Sequence, residues 1–340
     1  MKRRLVGVFL AFCIAVAFAL SATARDYDAT EKTSEESVPE ASTGGTESEG
    51  ALLAGSIVAS GKCGDNLTWT LDSEGTLTIS GTGEMEIYES TLKFPWESYR
   101  DNVKGVRIQS GVTSISDGAF SWYQNLTNVS IPDSVLTIGE RAFLHTKLTS
   151  VNLPNNLSSI AERAFCECSE LTRVNISGNI ITIEESAFSG CTSLTGIILP
   201  DSLKTIGDAA FYNNALTEVT IPANVTEIGE NVFVFCRNLV NIHVNSANTT
   251  YKSENGALLS KDGTALIAVP NGREGNYAIP NTVKTIGKNA LYVCKKITGV
   301  TIPSSVTAIE ANAFCGCDKL ISLNIPDSVT SVGRSAFEYC

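Results

Sequence analysis

The sequence predicts a repeat solenoid, a stack of parallel β rungs with short second strands and helical turns at about 23 residues per repeat. Three observations predict it. An AF dipeptide or a close equivalent recurs along most of the chain, its second residue at Phe120, Phe143, Phe165, Phe188, Phe211, Phe233, Leu291, Phe314 and Phe337. Successive separations are 23, 22, 23, 23, 22, 58, 23 and 23, one period with single-residue slips and one long interruption. Each mark is followed by an alternating run, such as Leu126, Val129 and Ile131 or Leu320, Leu323 and Ile325, and preceded by an apolar pair such as Val135 and Ile138. One unit of this length cannot enclose the apolar groups it carries, whereas stacked units bury them against each other in a continuous core.

The elements before the repeats follow in order. Lys2, Arg3 and Arg4 precede an apolar run from Leu5 to Leu20, and Ala22-Thr23-Ala24 offers small residues at a cleavage spacing. Residues 1–24 therefore read as a signal peptide removed on export. A membrane anchor is the competing reading, but it needs roughly 20 apolar residues and this run has 16. Residues 25–55 are rich in Glu, Ser, Thr and Gly and poor in large apolar groups. They are expected to form an acidic disordered linker, because too little apolar surface is present to offset the entropy of ordering. Residues 56–102 contain GKCGDNLTWTLDSEGTLTISGTGEM, which alternates polar and apolar groups about a turn at Asp72-Ser73-Glu74-Gly75. This pattern predicts a small β-rich N-terminal unit that caps the open end of the stack.

Residues 103–340 form the repeat domain, and IGERAFLHTKLTSVNLP at 138–154 shows its unit. LTSVNLP is one rung, with neighbouring rungs about 4.8 Å away. Pro154 and its equivalents Pro132, Pro200, Pro222, Pro280, Pro303 and Pro326 end the strand by removing a ladder donor. Ala142 and Phe143 lie four and five residues after Ile138, a spacing that predicts a short helical turn closing the arc on the opposite side. The period breaks at an insert at about 246–278, where Val244 and Ile279 are 35 positions apart. Apolar runs around Lys261-Asp262-Gly263-Thr264 predict a β-hairpin there, either extending one rung or protruding as a recognition loop. The chain stops at Cys340, halfway through a repeat and without a polar cap, so it is expected to be truncated at the C-terminus.

Charge and side-chain chemistry narrow the function. With residues 1–24 removed, 36 acidic residues stand against 22 basic ones, a formal charge of −14. Nucleic acid is thereby excluded as the expected partner, because binding a polyphosphate needs a basic surface. No membrane span remains after signal cleavage. Cys168, Cys191, Cys236, Cys294, Cys317 and Cys340 each lie three residues after the mark, a slot filled by Tyr123, Thr146 and Asn214 in other repeats. A residue tied to a repeat slot reads as a small buried packing group. Cys166-Glu167-Cys168 and Cys315-Gly316-Cys317 are C-x-C pairs, but structural zinc sites show wider, doubled spacings with four ligands. His145 and His243, the only histidines, have no nucleophile or metal motif around them, and Glu184-Glu185 would serve glycoside hydrolysis only in a cleft. The chain is not read as an enzyme, and no catalytic residue, metal ligand or cofactor is assigned.

On each rung the residues between the inward ones face solvent, and a solenoid usually binds there. In order they are Asn128 and Ser130, Ser150 and Asn152, Arg173 and Asn175, Gly196 and Ile198, Glu218 and Thr220, Asn241 and His243, Gly299 and Thr301, Ser322 and Asn324. This mostly small, polar row is either a merely soluble sheet face or a binding face. Its candidate binding residues are Ser150, Asn152, Arg173, Asn175, Glu218, Thr220, Asn241 and His243.

Written as LTxVxIPxSVTxIGxxAFxxC, the repeat resembles the BspA-like class of leucine-rich repeats, also described as the Treponema pallidum type. The resemblance covers roughly residues 103–340, and Gly61–Met85 is similar to a unit that often precedes such repeats. It implies a leucine-rich repeat solenoid in a secreted or cell-surface protein. Several members are implicated in adhesion to host matrix proteins or other cells, which implies an extracellular protein or glycan as partner. The alternative is a non-catalytic binding module of a larger exported enzyme whose catalytic domain lies beyond residue 340. Neither reading specifies an oligomeric state.

Overall fold

The computed structural model describes residues 55–88 and 94–340; the expected signal peptide and all but the last residue of the acidic linker lie outside the described residues. Alternation in the N-terminal segment produces three antiparallel strands, β1 (Ile57–Gly64), β2 (Leu67–Asp72) and β3 (Thr76–Gly81). The β2–β3 turn is held by Asp72, whose Oδ1 accepts from the N–H groups of Glu74 and Thr76 at 3.0 and 2.8 Å, with Gly75 in the left-handed region at φ +90°. β3 then pairs in parallel with β4 (Gly105–Ile108), which pairs in parallel with Asn128–Ser130. The N-terminal meander thus continues into the first rungs as one sheet.

Further rungs pair in parallel as Ser150–Asn152 with Arg173–Asn175, and Glu218–Ile221 with Asn241–Val244. Ile297–Thr301 lies between Gly275–Ala278 and Ser322–Asn324. Two-residue second strands such as Ser159–Ile160, Thr182–Ile183, Thr205–Ile206 and Glu227–Ile228 form a sheet of their own. Between these layers the marks stack. Trp96 begins the column, its ring 5.7 Å from Phe120, and successive rings from Phe120 to Phe233 lie 5.4 to 6.0 Å apart and nearly parallel. Burial of this column is the largest apolar contribution each repeat makes.

The helical turn expected at GERAF is present as a run of tight turns without a regular helix. Ala142 N–H donates to the Gly139 carbonyl and Leu144 N–H to that of Arg141, each three residues back. The intervening N–H groups of Arg141, Phe143 and His145 instead donate to the Glu162, Ala164 and Cys166 carbonyls of the next repeat, at 3.0, 2.9 and 2.8 Å. Turning alternate amides outward requires left-handed backbone two residues before and two after the mark. Among the described residues, 15 of the 16 non-glycine positions with positive φ fall in those two columns. A left-handed L-residue costs roughly 1–2 kcal/mol, and here the inter-repeat bonds offset it. Among the described residues, the backbone strain in these two columns therefore follows from repeat geometry.

The 58-residue interruption hides a further mark. Val269 N–H donates to the Ala290 carbonyl at 2.7 Å, as Phe143 does to Ala164, and the Val269 carbonyl faces Cys294 Sγ at 3.7 Å as Phe143 faces Cys168. Counting Val269 divides the interruption into 36 and 22, so one repeat is 13 residues longer than the 23-residue period. The extra chain forms Tyr251–Glu254 antiparallel to Ala257–Ser260, which pairs antiparallel with Ala265–Ala268 across the Lys261–Thr264 turn. Ala265–Ala268 then takes a second-strand place beside Thr285–Ile286. Ala257, Leu258 and Leu259 are fully buried, so the insert packs into the stack and does not protrude. The buried apolar residues divide here into two clusters that meet at Ala257–Leu259.

Candidate binding site

Parallel register places the eight candidate residues in two columns. Ser150 lies opposite Arg173 and Asn152 opposite Asn175; Glu218 lies opposite Asn241 and Thr220 opposite His243. All are exposed except Asn241, which is half-buried. The Asn175 amide donates to the Asn152 side-chain carbonyl, and the Glu218 carboxylate lies 3.6 Å from His243 Nε2. The columns are not continuous. Residues 194–199 form no strand, so the Arg173 pair and the Glu218–His243 pair stand on either side of an unpaired rung. That rung presents Ile198, 86% exposed, beside Gly196, where a Cβ would meet nothing within 4 Å. Sequence alternation located the face but not this gap, because LTGIILP keeps the apolar pattern of a rung while its glycine weakens the strand.

A third column went unread in the sequence. Thr127, Thr149, Thr172, Thr195 and Thr217 precede the strands and are exposed. The hydroxyls of Thr127, Thr149, Thr172 and Thr217 donate to the carbonyls of Lys104, Thr127, Thr149 and Thr195, one repeat back, at 3.0 to 3.4 Å. These carbonyls also accept the main-chain N–H of the same threonines. The LT recurring in the five repeats from Leu126 to Thr217 carried the signal, a threonine beside a leucine whose hydroxyl can reach the ladder.

His145 stands apart from the face. It occupies the left-handed turn column at φ +57°, its ring 4.2 Å from that of Trp122, and burial pushes its pKa down. The cysteine slot has a specific task. Cys168, Cys191, Cys236 and Cys317 donate S–H to the carbonyls of Phe143, Phe165, Phe211 and Leu291, one mark back, at 3.1 to 3.2 Å. Asn214 does the same to Phe188 at 2.9 Å. Burial pushes the Cys168 thiol up to about 11 and those of Cys236 and Cys294 to about 12, so they remain protonated donors. A thiol held protonated is a poor nucleophile and metal ligand, and among the described residues no group of three or more His, Cys, Asp or Glu is placed to hold a metal ion.

A family model described as BspA type leucine rich repeat region matches residues 98–191, 170–256 and 275–340, leaving out the 257–274 part of the insert. A leucine-rich repeat protein from Eubacterium ventriosum is 30% identical, over 81% of this chain and 68% of its own, with a TM-score of 0.62. A leucine rich cell surface protein from Faecalibacterium prausnitzii is 28% identical, over 82% of this chain and 79% of its own, with a TM-score of 0.63. The pneumococcal vaccine antigen PcpA, 22% identical over 82% of this chain and 78% of its own, shares the fold with a TM-score of 0.64. Comparison with curated proteins gives no match. The 23-residue period, the stacked marks, the turn ladder and these matches converge, and the chain belongs to the BspA-type leucine-rich repeat family.

Proposed function

We propose that this is an exported, cell-surface or secreted binding protein without a catalytic role, which engages an extracellular protein or glycan through its strand face. The observation that carries the reading is the two-column array of exposed side chains on parallel, closely spaced rungs. Arg173 and the Glu218–His243 pair supply charge, and Ile198 between them supplies an apolar contact that can be fully desolvated, a combination typical of binding surfaces. In this reading residues 1–24 direct export, 25–55 are a tether, 56–102 cap the stack, and 103–340 are the repeat domain with its insert at about 246–278. The Faecalibacterium relative is described as a cell surface protein, which supports the location. No helix of the described residues is long and apolar enough to cross a membrane.

The test compares the full chain with an Arg173→Ala/Glu218→Ala/His243→Ala variant on immobilised host matrix proteins and a glycan array. The expected result is at least a ten-fold loss of capture with an unchanged melting temperature. Unchanged capture on every surface that retains the wild type would move the site to the insert or the turn side and sink the reading.

A further inference from the structure

Where Asn241–Val244 and Gly275–Ala278 fail to pair, a groove of about 670 Å³ opens, lined chiefly by Asn238, Val240, Arg273, Glu274, Asn276 and Lys296. Its origin is local. Along the threonine column the N–H groups of Thr127, Thr149, Thr172 and Thr217 donate to the carbonyl one repeat back, as Val240 does to Thr217 at 3.0 Å, and Thr195 on the strandless rung does not. Gly275, next in the column, donates to Lys296 instead, at 3.1 Å, and the ladder stops at the Val240 carbonyl. Gly275 brings no side chain, and nothing lies within 4 Å of where its Cβ would be. The column is notched at this point.

The segment carrying Arg273 is pinned in place. Buried Asn271 accepts from Phe235 N–H at 2.6 Å and donates to the Tyr292 carbonyl and Cys294 Sγ at 2.9 and 3.3 Å. Gly272 N–H donates to the Leu239 carbonyl at 2.8 Å, an approach so close that a Cβ on Gly272 would come within 2.6 Å of that oxygen. The guanidinium of Arg273 lies 5.9 Å over the Tyr277 ring and has no ion pair among the described residues, whereas Lys296 is paired with Glu274 at 3.0 Å. In a chain of formal charge −11, the groove therefore has one cation to spare. A guanidinium binds a carboxylate through two parallel hydrogen bonds. The Asn238 and Asn276 amides and the Val240 carbonyl offer donors and acceptors for hydroxyls, and the Val240 side chain, 42% exposed, offers a small apolar contact.

We propose that this groove binds an acidic sugar, its carboxylate on Arg273 and its hydroxyls on Asn238, Asn276 and the Val240 carbonyl. The single spare charge suits a monoanion, and the Glu274 carboxylate opposes a peptide rich in acidic residues. The proposal rests on the reading of the strand side as the binding side, but it uses none of Arg173, Glu218 and His243. Calorimetric titration of the full chain with 3′-sialyllactose, a hyaluronan disaccharide with its one glucuronate, and lactose tests it. The first two present a sialic and a uronic carboxylate and identify which source fits; lactose presents none. At least one acidic sugar should bind ten-fold or more tightly than lactose. Arg273→Gln should lower that affinity at least ten-fold without changing the melt, while the Arg173→Ala/Glu218→Ala/His243→Ala variant retains it. Binding of neither acidic sugar, equal binding of lactose, preference for a hexaglutamate peptide, or no effect of Arg273→Gln overturns the proposal. Loss in the triple variant alone would leave the strand-face reading standing and remove the groove.

Discussion

Phe188 shows what a single repeat position contributes. Its side chain is fully buried, with the Phe165 and Phe211 rings at 5.5 and 5.8 Å on either side. Truncation leaves a void that close neighbours on both sides cannot fill, and Phe188→Ala should cost about 3–5 kcal/mol. A thermal melt of the variant matching the wild type would refute the stacked column. The buried thiols lead to a pH prediction. The folded chain holds the protons of Cys168, Cys236 and Cys294 more tightly than the unfolded chain, so their contribution is complete below an ordinary thiol pKa near 9 and is lost as pH rises through about 11 to 12. Urea midpoints should fall across that window, and Cys→Ser changes in the slot, which keep a donor for the carbonyl, should flatten the fall. Midpoints constant to pH 11 would contradict it. The phenylalanine and cysteine columns were both legible in the sequence because each recurs at a fixed offset. Val269 was not, because valine replaces phenylalanine in a repeat lengthened by 13 residues, and only its hydrogen bonds identify it.

At the level of elements, apolar spacing predicted rungs, second strands and the hairpin at Lys261–Thr264, all set by side-chain pattern. The arc around the mark was less legible. A spacing of four and five residues fits one turn of helix, but the amides of Arg141, Phe143 and His145 find better partners in the next repeat than within their own. That preference depends on a neighbour one period away and leaves little local trace beyond the recurrence of Asn and Ser two residues before the mark. The lengthened repeat depends on Asn271, which ties together turns from the repeats on either side. Asn271→Ala strands the Phe235 N–H and the Tyr292 carbonyl in a buried place, and should cost about 2–4 kcal/mol on the scale of 1–3 kcal/mol per unsatisfied group. Hydrogen exchange at the Phe235 amide should accelerate in parallel. A loss under about 1 kcal/mol with unchanged exchange would show that the turn is held by other contacts.

Across the whole molecule, the sequence disclosed which residues share the strand face but not how that face is divided. Two interruptions divide it, one at the unpaired rung of Gly196 and Ile198 and one at the groove before Gly275. The first leaves the apolar alternation of LTGIILP intact, and the second sits beside the lengthened repeat, whose break in period is visible in the sequence while the groove it opens is not. The second interruption coincides with the boundary between the two buried clusters at Ala257–Leu259. Repeat proteins gain stability mainly between neighbouring units, so this junction, where the strand ladder is interrupted, is the expected place for the stack to part into two cooperative blocks. In the proposed surface role the chain is loaded in tension when its ligand is pulled away. Stretched from its two ends in an optical trap, the chain should lengthen in two discrete releases, the block from the insert onward separating from the block before it. One release spanning all rungs would show that the junction transmits force as well as any other. If the releases are two, the junction is a built-in extensible link, and the first release lengthens the attachment and dissipates load while the remaining rungs stay folded.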